Sequence, residues 1–149
     1  MYAMQHEPQR LAGLGYVTRV LHNVELLVPP VCRVAAGPFL MGSDRDHDPD
    51  SSANERPRHW VSTGAYAIMR FPVTVAEYEC YTRVGGERPD DQEAQWRAAD
   101  RPETRITWHE AVTYARWLSA LTGQSWRLPS EAEWEKAARW DAQTSTAHI

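Results

Sequence analysis

One stretch of the chain repeats its apolar residues at helical spacing: Trp108, Ala111, Ala115 and Leu118, widened by Val112 and Leu121. It opens on Thr107 with Glu110 three residues later, a capping box, and closes at Gly123, a residue that accepts the left-handed end of a helix. Two more boxes, Thr74 with Glu77 and Ser130 with Glu133, mark two further helices. The pattern predicts helices starting near Val75, Trp108 and Glu131, the first running to about Val84 before Gly85-Gly86. Shorter apolar or alternating runs read as strands: 24–28, 31–41 with a turn at Gly37-Pro38, 59–69, and 125–128 closed by Pro129. Segments 43–58 and 87–104 are polar and read as exposed loops. Short strands mixed with helices predict an α+β fold. At these spacings Trp108, Trp117, Trp126 and Trp134 are expected in the core rather than around a ligand. Residues 1–30 end in the punctuation Pro29-Pro30 and read as an N-terminal extension or an upstream-domain tail, ahead of a domain over 31–149.

Composition narrows the partners more than the fold. The length of 149 residues suits one domain, and 42% hydrophobic residues suffice for a core. A net charge of -4 argues against an electrostatic nucleic-acid surface. No apolar run has the length of a signal-peptide core or of the ~20 residues of a membrane helix. A cytoplasmic protein with neither nucleic acid nor membrane as partner is expected. All basic residues but Lys136 are arginines, scattered as coding bias would scatter them rather than gathered into a phosphate clamp. Cys32 and Cys80 have neither metal nor redox spacing and read as reduced, buried thiols.

Each candidate for chemistry has a plainer counterpart. Asp44, Asp46, Asp48, Asp50 and Glu55 fall at the ligand positions of a calcium loop, but Pro49 stands where that loop needs glycine. The segment also follows a strand, so a solvated acidic loop is the reading. His47, His59 and His109 have no spacing that would gather them around a metal. Cys80 sits inside a helix without a visible base and reads as a small buried hydrophobe. Glu131, Glu133 and Glu135 are two apart and do not face one another, whereas Glu135 and Arg139 form an i,i+4 pair. Arg127 is placed to tie the 125–128 strand to the last helix. On these grounds no catalytic, cofactor-binding or metal-ligating residue is assigned.

Five collinear blocks carry a family resemblance. They are AGPFLMGS at 36–43, NERPRHWV at 54–61, IMRFPVTVAEY at 68–78, ITWHEA at 106–111 and WRLPSEAEWEKAAR at 126–139. Together they resemble the domain shared by formylglycine-generating enzymes (sulfatase-modifying factors) and ergothioneine-synthesis proteins. The resemblance implies a loop-rich variant of the C-type lectin fold. It also implies a family reaction, the oxidation of a cysteine in a sulfatase peptide to formylglycine with copper and oxygen, so a protein or peptide would be the partner of the full-length domain. The family continues beyond these blocks through a YPWG turn, further strands, its calcium ligands and, in true oxidases, a copper-binding cysteine pair. None of those is in this sequence, so the catalytic half is expected to be absent and no cofactor is expected in this chain. Three readings stay open: the N-terminal part of such an enzyme, a non-catalytic lectin-like binding module, and an inactive truncated product. An uncovered apolar patch and an unpaired strand edge are further expectations.

Overall fold

The computed structural model describes residues 7–46, 48–87, 98–141 and 146–147. These form two compact units, each discontinuous in sequence: Met1–Pro30 with Met69–Leu128, and Val31–Ile68 with Pro129–Ile149. Helices and strands are mixed throughout, an α+β arrangement.

The first unit holds helix α1 (Glu7–Gly13), strands β1 (Val17–Leu21) and β2 (Val24–Val28), α2 (Val75–Thr82) and α3 (Trp108–Thr122). β1 and β2 pair antiparallel with Leu21 opposite Val24, leaving a two-residue turn. Both turn residues, His22 at φ 50° and Asn23 at φ 64°, are left-handed, the conformation that matches the twist of a tight hairpin. β2 supplies Leu26, which has no exposed surface, to a cluster with Tyr78 and Tyr81 of α2 and Tyr114 and Leu118 of α3. Tyr78 stacks on Tyr114 at 5.3 Å between centroids, and Tyr81 meets Tyr114 edge-on at 5.8 Å. α2 and α3 start where their capping boxes place them; the Thr74 and Thr107 side chains accept from the backbone N–H of Glu77 and Glu110. Gly123 closes α3 in the left-handed region at φ 69°.

The second unit contains β3 (Val31–Val34), β4 (Gly37–Met41), a 3-10 turn at Ala53–Glu55, β5 (His59–Thr63), β6 (Tyr66–Met69), α4 (Glu131–Ala138), and the short strands β7 (Trp140–Asp141) and β8 (Thr146–Ala147). β4 pairs antiparallel with β5, Phe39 opposite Val61, and β3 pairs with β6. α4 lies against β4 and β5 and begins after Ser130, whose side chain accepts from the Glu133 N–H.

Three expectations need correction. Residues 125–128 are not a strand. The Ser119 hydroxyl takes both polar groups of the Trp126 backbone, N–H at 2.8 Å and C=O at 3.0 Å, so neither is available to a ladder. Trp108 and Trp134 are not core residues, being 65% and 61% exposed. The buried face of α3 is carried by Tyr114, Ala115 and Leu118, and Trp108 lies about 120° around the helix from Tyr114. α4 buries Lys136 and Ala137, which turns Trp134 outward. Trp117 and Trp126 are half-buried against the first unit's core, as expected. Asp44 is half-buried beside Arg58 at 3.6 Å, because the cation offsets the cost of burying the carboxylate; Asp46, Asp48 and Asp50 are exposed. His47 and most of the 87–104 loop lie outside the described residues.

Candidate functional site

The residues of the 126–139 string converge in the second unit. Lys136 is buried, and its ammonium donates to Ala35 O at 2.8 Å, Gly37 O at 2.9 Å and Thr63 Oγ1 at 3.0 Å. All three ammonium protons have acceptors. The Phe39 ring centroid lies 5.9 Å from Nζ and adds its π face. At the adjacent position, Glu135 Oε1 accepts from the Gly42 N–H at 2.8 Å and from Arg139 Nε at 2.9 Å, while Arg139 Nη2 donates to Gly42 O at 2.7 Å. The Glu135–Arg139 pair thus grips both polar groups of one peptide position. Gly42 has φ 81°, and a Cβ there would sit 2.7 Å from Glu55 O. The Tyr66 hydroxyl donates to Glu133 O, and burial with the nearby Glu133 charge raises its pKa.

A second polar cluster lies in the first unit. Glu77 is fully buried; its Oε2 accepts from Thr74 N at 2.7 Å and Thr74 Oγ1 at 2.8 Å. Burial pushes its carboxyl up to about 6, against which the Thr74 bonds act. Burial raises the Tyr16, Tyr78 and Tyr114 phenols, and the neighbouring Glu77 carboxylate adds to the rise at Tyr16 and Tyr114. The raised carboxyl makes stability pH-dependent. Glu77's contribution is present below the ordinary carboxyl value of 4.5 and is lost as pH rises through about 6. The loss amounts to about 2 kcal/mol. Glu77→Gln keeps an oxygen for the cap and should flatten that part of the profile. Thermal midpoints taken on both sides of the window test this; parallel profiles for variant and wild type would refute it.

The other candidates serve the fold. His59 is exposed, and its Nδ1 lies 2.8 Å from Pro57 O, a backbone carbonyl. His109 is exposed and edge-on to Trp108. Glu55 Oε2 accepts from Ser52 N at 2.8 Å and closes the 3-10 turn. Glu131 is exposed, and Arg127 donates to the adjacent Leu128 carbonyl rather than to a strand. Both cysteines are free thiols, Cys32 half-buried and Cys80 buried. Cys80 Sγ donates to Ala76 O at 3.4 Å, and burial pushes its thiol up, the reverse of what a copper thiolate needs. Among the described residues no three His, Cys, Asp or Glu side chains gather to hold an ion. No described helix is long and apolar enough to cross a membrane.

The sequence reading missed Lys136 as the centre of the second unit's polar network, and Glu77 as a buried acid. One signal was present for the first: Lys136 is the single lysine among arginines.

Comparison with known proteins places these residues in context. Residues 18–147 match the model of the sulfatase-modifying factor enzyme 1-like domain, a match that begins inside the segment read as an extension. Hercynine oxygenase of Mycolicibacterium thermoresistibile is 33% identical over 137 residues, covering 72% of this chain and 29% of its own length. Formylglycine-generating enzyme of Mycobacterium tuberculosis is 29% identical over 157 residues, covering 69% of this chain and 49% of its own. The structure of PvdO from Pseudomonas aeruginosa superposes with a TM-score of 0.60 at 30% identity, over 75% of this chain and 48% of that one. The chain therefore spans between 29% and 49% of the length of these relatives.

Proposed function

This chain belongs to the sulfatase-modifying factor enzyme 1-like family, and from that membership we propose that it is the N-terminal scaffold portion of a formylglycine-generating-enzyme-like protein with a C-type-lectin-like fold. The reaction of the whole protein would be the family's oxidation of a cysteine in a sulfatase peptide to formylglycine, with a peptide as partner. The observation that carries this reading is the use to which the 126–139 string is put. Glu135 and Arg139 bind each other and the Gly42 backbone, and Lys136 binds the Ala35 and Gly37 carbonyls and the Thr63 hydroxyl, so these side chains hold the fold together.

The relatives favour the same division. The chain resembles one protein named for oxygenating hercynine and another named for generating formylglycine. A segment shared between proteins named for different reactions supplies the frame, and function is decided by the sites grafted onto it.

A chimera tests the proposal. The segment of Mycobacterium tuberculosis formylglycine-generating enzyme that aligns with this chain is replaced by the corresponding residues from here. Aldehyde formation on a cysteine-containing sulfatase peptide is then assayed with copper present. The chimera is expected to retain activity and the 149-residue chain alone to show none. Activity in the chain alone, or a folded chimera without activity, would reject the scaffold reading.

A further inference from the structure

One face of the β1–β2 hairpin carries Val17, Arg19 and Leu21 opposite Val28, Leu26 and Val24; Leu26 is buried, while Val17 and Arg19 are exposed. Arg19 is the one polar residue among the six, and its cross-strand partner is the fully buried Leu26. No described carboxylate pairs with it. Arg19 lines a cavity of about 330 Å³, with Leu21, Leu26, Val28, Leu118 and Trp126 among its walls. That volume lies at the small end of pockets that take small-molecule ligands.

The Trp126 wall of this open hollow is fixed by hydrogen bonds. Trp126 Nε1 donates to Thr122 Oγ1 at 3.0 Å, and Thr122 Oγ1 donates to Leu118 O at 2.7 Å. With the Trp126 backbone fixed by Ser119, the indole cannot fold into the space without breaking these bonds. A preformed apolar wall lowers the ordering cost of binding.

We propose that this cavity binds a small apolar carboxylate, its ring or chain against Trp126 and the leucines and its carboxylate on the Arg19 guanidinium. The planar guanidinium offers paired N–H donors that match the two carboxylate oxygens. The net charge of -4 gives anions no general attraction to the chain, so preference for an acid has to arise locally.

Phenylacetate, neutral phenylacetamide and cationic phenethylamine, each added to the 149-residue chain, separate this from non-specific apolar binding. Amide and indole resonances are followed by heteronuclear NMR up to roughly 10 mM ligand, the range where weak small-molecule affinities lie. Phenylacetate is expected to shift Arg19, Leu26, Thr122 and the Trp126 Nε1 resonance saturably, and about tenfold more tightly than the amide. Arg19→Met should abolish the preference for the acid, and Arg19→Lys, which keeps the charge, should retain it. The proposal is overturned if phenylacetate causes no saturable shift at these residues, if acid and amide bind equally, or if Arg19→Met leaves the preference intact.

Discussion

Replacing Lys136 by methionine is expected to destabilise the second unit by about 2–3 kcal/mol. Methionine preserves most of the apolar stem, so the loss isolates the ammonium. Ala35 O, Gly37 O and Thr63 Oγ1 would each lose the same donor at once. These acceptors lie on two separate stretches of chain, so the lysine joins the start of β4 and the end of β5 to α4. Arginine is no substitute, because a planar fork cannot aim three protons at acceptors arranged around a point. Urea denaturation monitored by hydrogen exchange in β4, β5 and α4 reads the effect. A Lys136→Met protein as stable as wild type would show that the three bonds contribute nothing net.

Leu118→Ala should cost the first unit about 3 kcal/mol, within the range for emptied leucine sites. Leu118 is 2% exposed and packs with Leu26, Tyr78, Tyr81 and Tyr114. The tyrosine rings, stacked or edge-on to one another, cannot close over the vacated volume without losing those contacts. Leu118→Met keeps the volume and should cost under about 1.5 kcal/mol. Denaturant midpoints for the two variants give the comparison, and equal losses would reject the cavity explanation.

The sequence made the helix starts legible, because a capping box is a local device: Thr74, Thr107 and Ser130 each need only the residue three positions on. The hairpin strand at 24–28 and the breaks between strands were equally local. Tryptophan burial was not. Spacing alone does not say which face of a helix meets a neighbour, and the face of α3 was centred on Tyr114, with Trp108 left outside it. The supposed strand at 125–128 failed for a related reason, since a serine seven positions earlier had already taken its backbone groups. Lys136 lay furthest from reach. Its acceptors at 35, 37 and 63 are remote in sequence and are carbonyl or hydroxyl oxygens, which carry no charge pattern to read.

The interleaving of the two units bears on how the chain emerges from a ribosome. Leu26 is made early, but the Tyr114 and Leu118 that enclose it come about ninety residues later, and the start of β4 waits 99 residues for Lys136. At bacterial-type elongation speeds the hairpin would stand uncovered for on the order of 10 s. Neither unit can finish ahead of the other's opening segment, so the nascent polypeptide carries two half-built layers at once. Slowing translation therefore lengthens exposure instead of granting time to fold, and a holdase chaperone that shields β1 and β2 until α3 arrives would raise the yield of native protein.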